Sequence, residues 1–159
     1  LLEAGKIVWI EGISHAAEIL SDSKVAERQA AGARKRLQRL DCNIKIMEEY
    51  SDSCGLGSGI TLWAGFDSGC IVGADALGEK AKRAEAVGEE AASNLIAEIE
   101  KTAPVDSHLA DQLIPFIGLF GGKIKTTTIT EHCMTNIYVF EKFFGKTFNV
   151  DRDARTISA

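Results

Sequence analysis

The chain has 159 residues, of which 45% are hydrophobic, and a formal net charge of −5 at pH 7. This length and apolar content suit one or two small domains, and the acidic balance argues against non-specific nucleic-acid binding through bulk charge. No apolar run approaches the length of a membrane span, and no signal-peptide pattern opens the chain, so we expect no membrane partner. The four cysteines form no CxxC pair and no cysteine–histidine metal spacing, so we expect buried or reduced thiols in a cytoplasmic protein. The chain begins with Leu-Leu rather than Met, and we therefore expect it to be a piece of a longer protein.

The first hundred residues predict a strand, a helix, three strands and a second helix, in that order. Alternating or continuous apolar residues predict the strands, and apolar positions that step by three and four predict the amphipathic helices. The glycine-rich segment 51–59 lacks the following helix and the Gly-Lys-Ser/Thr that phosphate-binding loops require, so we predict a flexible turn there. The six elements are predicted at residues 6–13, 26–40, 44–50, 60–66, 70–73 and 79–101.

Basic and aromatic side chains in this region leave two interpretations open. A basic face on the first helix could meet an RNA backbone, although a charged face is more often simply solvated. Trp9 and Trp63 lie on strand patterns, where packing in a core is favoured over stacking on bases. The basic face consists of Arg28, Arg34, Lys35, Arg36 and Arg39.

The last third of the chain predicts a helix, a strand, a second helix and a final strand. Asp106 and Ser107 are helix-starting residue types that precede an apolar run, and β-branched residues from Ile124 to Thr130 predict a strand. The second helix is predicted to end at Gly145. A last strand is expected near residues 146–150, and the polar residues 151–159 are expected to fray.

Each of these two helices starts with a histidine-containing segment, HLADQ at 108–112 and HCMTN at 132–136. The unpaired N–H groups of a helix start attract anions, and its positive dipole end disfavours imidazolium. A neutral imidazole at such a helix start would therefore be a competent nucleophile toward phosphorus. Asp111 could hold a divalent ion on the phosphates, or orient the ring through its other nitrogen. From the pattern alone, a histidine at such a junction is more often a cap or a packed ring.

These segments resemble the RNA 3′-terminal phosphate cyclase family. HLADQLIPF, and EHCMTNIYVFEKFFG further on, look like the two nucleotide-site motifs of that family. The upstream segments KVAERQAAGARKRL and GSGITLWAGFDSGCIVGADALGEKAKRAEAVGEEAASNL are similar to it as well. The resemblance covers nearly the whole chain but only the later half of a family member, and the family's Gly-rich signature has no counterpart here.

The resemblance implies an α+β fold. A small thioredoxin-like insert domain, a sheet with two helices, is expected at residues 8–102. Residues 1–7 and 103–159 are expected to belong to a large catalytic domain of repeated α/β units, and the boundary is placed at Thr102-Ala103-Pro104. The rest of the large domain would lie in the N-terminal half of the parent protein. Without it, the apolar helices of residues 103–159 would expose surface unless another chain covers them.

The resemblance also implies an ATP-dependent enzyme that converts a 3′-terminal phosphate of RNA to a 2′,3′-cyclic phosphate through a histidine–AMP intermediate. Carried over by motif, His132 is the nucleophile, and Asp111 lies near the phosphates or a Mg or Mn ion. The expected partners are ATP, RNA with a 3′-terminal phosphate and the N-terminal half of the parent. Alone, this chain is expected to be weakly active or inactive. The residues that would border the adenine nucleotide are His108, Leu109, Ala110, Asp111 and Gln112.

Two other functions remain open from the sequence. A catalytically silent relative could act as an RNA or ribosome-assembly scaffold, but such relatives depart from the histidine motif, which this chain retains as HxxTN. A generic histidine-based phosphotransferase would need no RNA terminus. Thr135 and Asn136 are interpreted as capping residues that hold the His132 turn, and His15 as structural or exposed.

Overall fold

The computed structural model describes residues 2–159, and these residues contain four α-helices and seven β-strands. The predicted α+β class is confirmed. The described residues fold as two units: a sheet unit of residues 7–66 and 72–100, and a helix-pair unit of residues 2–6, 67–71 and 101–159. The domain boundaries inferred from the sequence stay a prediction. Within residues 2–159, every helix is too short or too polar to span a lipid bilayer.

The sheet unit confirms the predicted order of one strand, one helix, three strands and one helix. Its strands pair in the order β2-β1-β3-β4, with β1 parallel to β2 and antiparallel to β3. A parallel pair needs a crossover connection, and α1 provides it between β1 and β2. The elements are β1 (Ile7–Ala17), α1 (Val25–Leu37), β2 (Asn43–Ser51), β3 (Ser58–Phe66), β4 (Ile71–Leu77) and α2 (Ala84–Glu100).

The two helices of the sheet unit pack side by side on one face of the sheet. Ile10 and Ser14 of β1 are fully buried on that face, and the Ser14 hydroxyl donates to the Ala26 carbonyl in α1 at 2.8 Å. Successive residues of a strand point to opposite faces, so the odd-numbered residues of β1 lie on the other side. Where α1 and α2 meet, a methyl group on Gly32 or Gly88 would collide with the backbone of the facing helix.

The helix-pair unit combines two helices of 14 residues each with a small antiparallel sheet. Three short strands pair in the order β5-β7-β6. The core cluster includes Ile114 of the first helix, Ile137 of the second and Ile157 of the last strand. The elements are α3 (Ser107–Phe120), β5 (Lys123–Lys125), α4 (Glu131–Phe144), β6 (Asn149–Asp151) and β7 (Thr156–Ser158).

The strand predicted from Ile124 to Thr130 is wrong in most of its length, because β5 ends at Lys125. The Thr127 N–H donates to the Val105 carbonyl at 2.9 Å, and the Thr126 hydroxyl donates to the Asp106 carbonyl at 3.3 Å. Threonine side chains can bond nearby backbone in place of a regular ladder. This segment therefore fastens the start of α3 rather than extending the sheet.

The prediction that residues 151–159 fray is also wrong. Ile157 is fully buried and pairs with Ile124 of β5 and Val150 of β6. The Arg155 guanidinium donates to the Lys101 and Thr127 carbonyls at 3.0 and 3.3 Å. This order depends on pairing between distant segments, which the mostly polar composition of the tail does not reveal.

Large apolar side chains stand exposed on α3 and α4, as the sequence analysis expected. Phe120 and Phe143 are each 82% exposed. Large apolar side chains exposed in this number on two neighbouring helices are typical of a surface that another part of a protein covers. The others with substantial exposure are Leu109, Phe116, Leu119, Tyr138, Val139 and Phe144.

Candidate active site

The start of α3 is capped by a carboxylate. Asp106 is the N-cap residue, and its Oδ1 accepts hydrogen bonds from the N–H groups of His108 at 3.0 Å and Leu109 at 2.7 Å. The prediction that Asp106 starts this helix is confirmed. Because two first-turn N–H groups already bind that carboxylate, the expectation of unpaired donors does not hold for them. Recognition of an anion here would depend on side chains.

The start of α4 is capped by a neutral hydroxyl. Thr130 is the N-cap residue, and its Oγ1 accepts from the Cys133 N–H at 3.1 Å. A hydroxyl cap brings no negative charge to the positive end of the helix dipole, although Glu131 places an exposed carboxylate in the same turn. His132 follows as an exposed first-turn residue. Its ring is therefore not enclosed in an apolar interior.

Thr135 and Asn136 do not cap α4. The Thr135 hydroxyl donates to the Glu131 carbonyl at 2.8 Å, which braces the turn that carries His132. The Asn136 side chain instead reaches α3, where its Nδ2 donates to the Asp111 carbonyl at 3.2 Å. The capping interpretation is thus wrong for both residues: Thr135 supports the turn from within α4, and Asn136 connects the two histidine motifs.

This contact places the two helix starts at the same end of the helix pair. Asn136 meets Asp111 near the beginnings of both helices. Further along, Gly118 lies against the Phe140 ring so closely that a methyl group on the glycine would collide with it. Asp111 precedes Gly118 in α3, and their contact partners Asn136 and Phe140 follow the same order in α4. The two helices therefore run in the same direction. His132 precedes Asn136 by four residues, which is about one helical turn on the same face.

Asp111 supplies negative charge beside the start of α4. Burial raises the pKa of the Cys133 thiol, and the charge on Asp111 adds to that rise. The Asp111 carboxylate is therefore within electrostatic reach of the residue next to His132. Within residues 2–159, no group of three or more histidine, cysteine or acidic side chains is arranged to hold a metal ion. Magnesium is usually held by one or two carboxylates together with substrate phosphates, and Asp111 fits that kind of site.

The six residues singled out by motif fall into three environments. Asp111 and Gln112, together with Asn136, line the polar end of a groove of about 340 Å³ between α3 and α4. His108, Leu109 and His132 are exposed on the first turns of their helices. Ala110 is fully buried, so neither its methyl group nor its backbone has surface available to a ligand. The apolar part of the groove is formed by Pro115, Leu119, Val139, Phe140, Phe143 and Phe144.

Sequence reasoning missed Thr130 and the inter-helix role of Asn136. The predicted strand of residues 124–130 includes Thr130, although a threonine before the first helical residue is a common N-cap. The i, i+4 spacing of His132 and Asn136 could have indicated a shared face. The partner of Asn136 could not be predicted, because 25 residues separate it from Asp111.

The basic face of α1 is largely engaged in ion pairs. Arg28 pairs with Glu85 at 2.8 Å, Arg34 with Glu48 at 2.6 Å and Arg39 with Glu100 at 3.1 Å. Carboxylates of α2 and β2 thus neutralise this face, which weakens its interpretation as a surface for an RNA backbone.

Comparisons with known proteins give consistent matches. A family model described as the insert domain of RNA 3′-terminal phosphate cyclase matches residues 2–100. Curated proteins named RNA 3′-terminal phosphate cyclase from Pyrococcus furiosus and Pyrococcus abyssi are 48% and 47% identical to this chain, over 93% and 91% of its length. One from Thermococcus onnurineus is 48% identical over 94% of the chain. The chain spans 42–44% of the length of these relatives.

Proposed function

Because this chain belongs to the RNA 3′-terminal phosphate cyclase family, we propose that it is part of a cytoplasmic enzyme that uses ATP to convert an RNA 3′-phosphate to a 2′,3′-cyclic phosphate. The parallel arrangement of α3 and α4 carries this proposal, since the Asn136–Asp111 hydrogen bond holds the two histidine motifs at one end of the helix pair. The four cysteines are free thiols, which suits the reducing cytoplasm.

His132 is the proposed nucleophile. Its imidazole nitrogen attacks the α-phosphorus of ATP, a phosphorus–nitrogen bond forms, and the bond to the pyrophosphate oxygen breaks. The exposure of His132 lets a nucleotide reach the ring. The Thr130 cap is neutral, so the dipole of α4 can oppose charge on the phosphates, and the acidic Glu131 of the first turn is exposed to screening water. Covalent catalysis divides one difficult displacement into easier steps.

The remaining steps follow from the histidine–AMP adduct. An oxygen of the RNA 3′-phosphate attacks the adenylyl phosphorus and releases His132. The neighbouring 2′-hydroxyl then attacks the activated 3′-phosphorus, which closes the ring and expels AMP. A bound Mg or Mn ion would neutralise charge that develops on the phosphates.

The motif residues of α3 are proposed to hold the nucleotide. Asp111 binds the divalent ion together with phosphate oxygens, because its half-buried carboxylate lies at the polar end of the groove. Gln112 borders the nucleotide, and His108 and Leu109 contact it from the exposed first turn. The exposed apolar side chains of α3 and α4 pack against the N-terminal half of the parent.

The full-length parent tests this proposal with RNA that ends in a 3′-phosphate. With ATP and Mg or Mn, we expect conversion to the 2′,3′-cyclic phosphate, and no reaction of an otherwise identical RNA that ends in a 3′-hydroxyl. His132→Ala should abolish conversion, whereas Gln38→Ala, a change at an exposed position outside the motifs, should not. Equal activity of the His132→Ala variant would overturn the nucleophile assignment. Phosphate transfer that requires no RNA terminus would favour a generic phosphotransferase.

A further inference from the structure

The sheet unit has one sheet face that α1 and α2 leave uncovered. Those helices pack on the side that bears Ile10 and Ser14. We call the opposite side the open face. Strand register places on it Trp9, Glu11, Ile13 and His15 of β1, Lys45, Met47 and Glu49 of β2, and Thr61, Trp63 and Gly65 of β3.

Two indole rings are neighbours on the central strands of the open face. Trp9 pairs with Gly65 and Glu11 pairs with Trp63, so the two tryptophans are diagonal neighbours. The Trp9 ring lies across Gly65, where a methyl group would collide with it. Both tryptophans are partly exposed. The prediction that they pack in a core is therefore incomplete, because they form an accessible aromatic surface.

Charged side chains on the open face nearly balance. In the register of β1 and β2, Glu11 stands opposite Lys45 and His15 stands opposite Glu49. The aromatic rings are thus interspersed with polar and charged groups rather than joined into one apolar patch. Protein-binding surfaces deplete charged residues at their centre, so this alternation favours a ligand that offers both flat rings and polar edges.

We propose that the open face stacks unpaired bases of single-stranded RNA. The identity of the polymer rests on the proposed function, since the relatives are named for RNA. Four-stranded sheets with aromatic side chains on their surface can stack two or three bases, and such stacking tolerates any sequence because every base has a π-face. The open face would hold a segment of the strand whose 3′ end is modified.

The chain carries its own reporter for this interaction. It contains two tryptophans, and both lie on the open face. We would titrate the chain with a single-stranded oligouridine that ends in a 3′-hydroxyl, without ATP, and follow tryptophan fluorescence. We expect the oligouridine to quench the tryptophan fluorescence, and the quenching to saturate. A 3′-hydroxyl RNA is not a substrate of the proposed reaction, so this result is independent of the His132 chemistry.

Two substitutions examine the open face separately. Trp63→Leu keeps an apolar side chain but removes the ring, and should weaken binding about tenfold or more, whereas Trp63→Phe should retain most of it. Thr61→Asp keeps both tryptophans and adds negative charge at an exposed position, so it should also weaken binding. Wild-type affinity in both Trp63→Leu and Thr61→Asp would overturn the proposal, as would an absence of quenching.

The salt dependence of binding and a control variant show whether RNA binds the open face or the basic face of α1. With Lys45 as its principal cation, the open face should neutralise about one or two phosphates, which predicts a slope of log affinity against log salt of about −0.7 to −1.4. Lys35→Glu on α1 should leave binding unchanged. A much steeper slope together with loss of binding in Lys35→Glu would place the RNA on α1 and refute the proposal. If quenching occurs but the parent forms no cyclic phosphate, the proposed function fails and RNA binding by the open face stands.

Discussion

One side-chain hydrogen bond, from Asn136 to the Asp111 carbonyl, fixes how the two histidine motifs meet. The Asn136 side chain is exposed, so the bond contributes little to global stability. Its value lies in position, because it sits one turn from His132 and joins α4 to the carbonyl of the proposed metal-binding residue. Small displacements of a reacting group can cost a large factor in rate.

Asn136→Ala should therefore reduce the cyclisation rate of the parent at least tenfold while lowering the free energy of unfolding by only about 0.5–1 kcal/mol. The measurements are single-turnover kinetics and denaturant unfolding. Asn94→Ala is the matched control, since it removes an exposed asparagine-to-carbonyl bond of the sheet unit, from Asn94 to Asp75 at 3.3 Å. If Asn94→Ala slows the reaction as much as Asn136→Ala does, Asn136 has no specific positioning role.

The Arg28–Glu85 ion pair should make the folding stability of the chain sensitive to acid. The hydrogen bond from Arg28 lowers the pKa of Glu85 from 4.5 to about 2. Since the folded-state pKa is the lower one, the stabilisation is complete above about pH 4.5 and is lost as the pH falls toward 2. At low ionic strength, the stability difference between wild type and Glu85→Gln should shrink over that range. A difference that stays constant from pH 6 to pH 2 would contradict this assignment.

At the scale of the elements, contact between the backbones of α1 and α2 determines how the sheet is covered. Gly88 lies against the backbone at Gln29, and Gly32 lies against the backbone at Glu85. A backbone contact cannot relax by a side-chain rotation, so a methyl group at either position must separate the helices.

Gly88→Ala should destabilise the chain by about 1–3 kcal/mol, even though alanine is the better helix former by about 1 kcal/mol. Thermal unfolding would measure the loss. Glu89→Ala, one residue further along α2 and exposed, should change stability by no more than about 0.5 kcal/mol. A Gly88→Ala variant as stable as wild type would show that α1 and α2 are not packed this closely.

The elements also show how far the sequence predicts the fold. All four α-helices were predicted because their apolar residues repeat at helical spacing, and α3 has a recognisable Asp106 cap. The short strands β5 and β7 were mispredicted or missed, since three-residue strands have too little pattern and owe their order to distant partners. The same reason hid the Asn136 contact, whereas the motifs themselves could be found from residue types and spacing.

At the scale of the whole molecule, the C-terminal residues complete the core of the helix-pair unit. Ile157→Ala should cost about 2–5 kcal/mol, because it opens a cavity at a fully buried position. Chemical denaturation followed by circular dichroism measures this loss. Arg152→Ala, on the exposed turn before β7, serves as the control and should be nearly neutral. If Ile157→Ala is neutral too, the tail frays as its composition suggests.

The exposed phenylalanines of α3 and α4 support the proposal that the activity requires the parent protein rather than this chain alone. The chain spans 42% of the length of the relative from Pyrococcus furiosus, and the rest of the parent is expected to cover those side chains. The catalytic site would then be completed by residues on both sides of that packing.

The location of the adenylyl group tests the central claim most directly. The full-length parent, incubated with ATP and Mg or Mn without RNA, can be digested under mildly alkaline conditions and its AMP-bearing peptide sequenced by mass spectrometry. We expect AMP on His132 as an acid-labile adduct. The Asp111→Ala variant should form less of this adduct, and the His132→Ala variant should form none. An adduct on any other residue, or one that persists in His132→Ala, would contradict it.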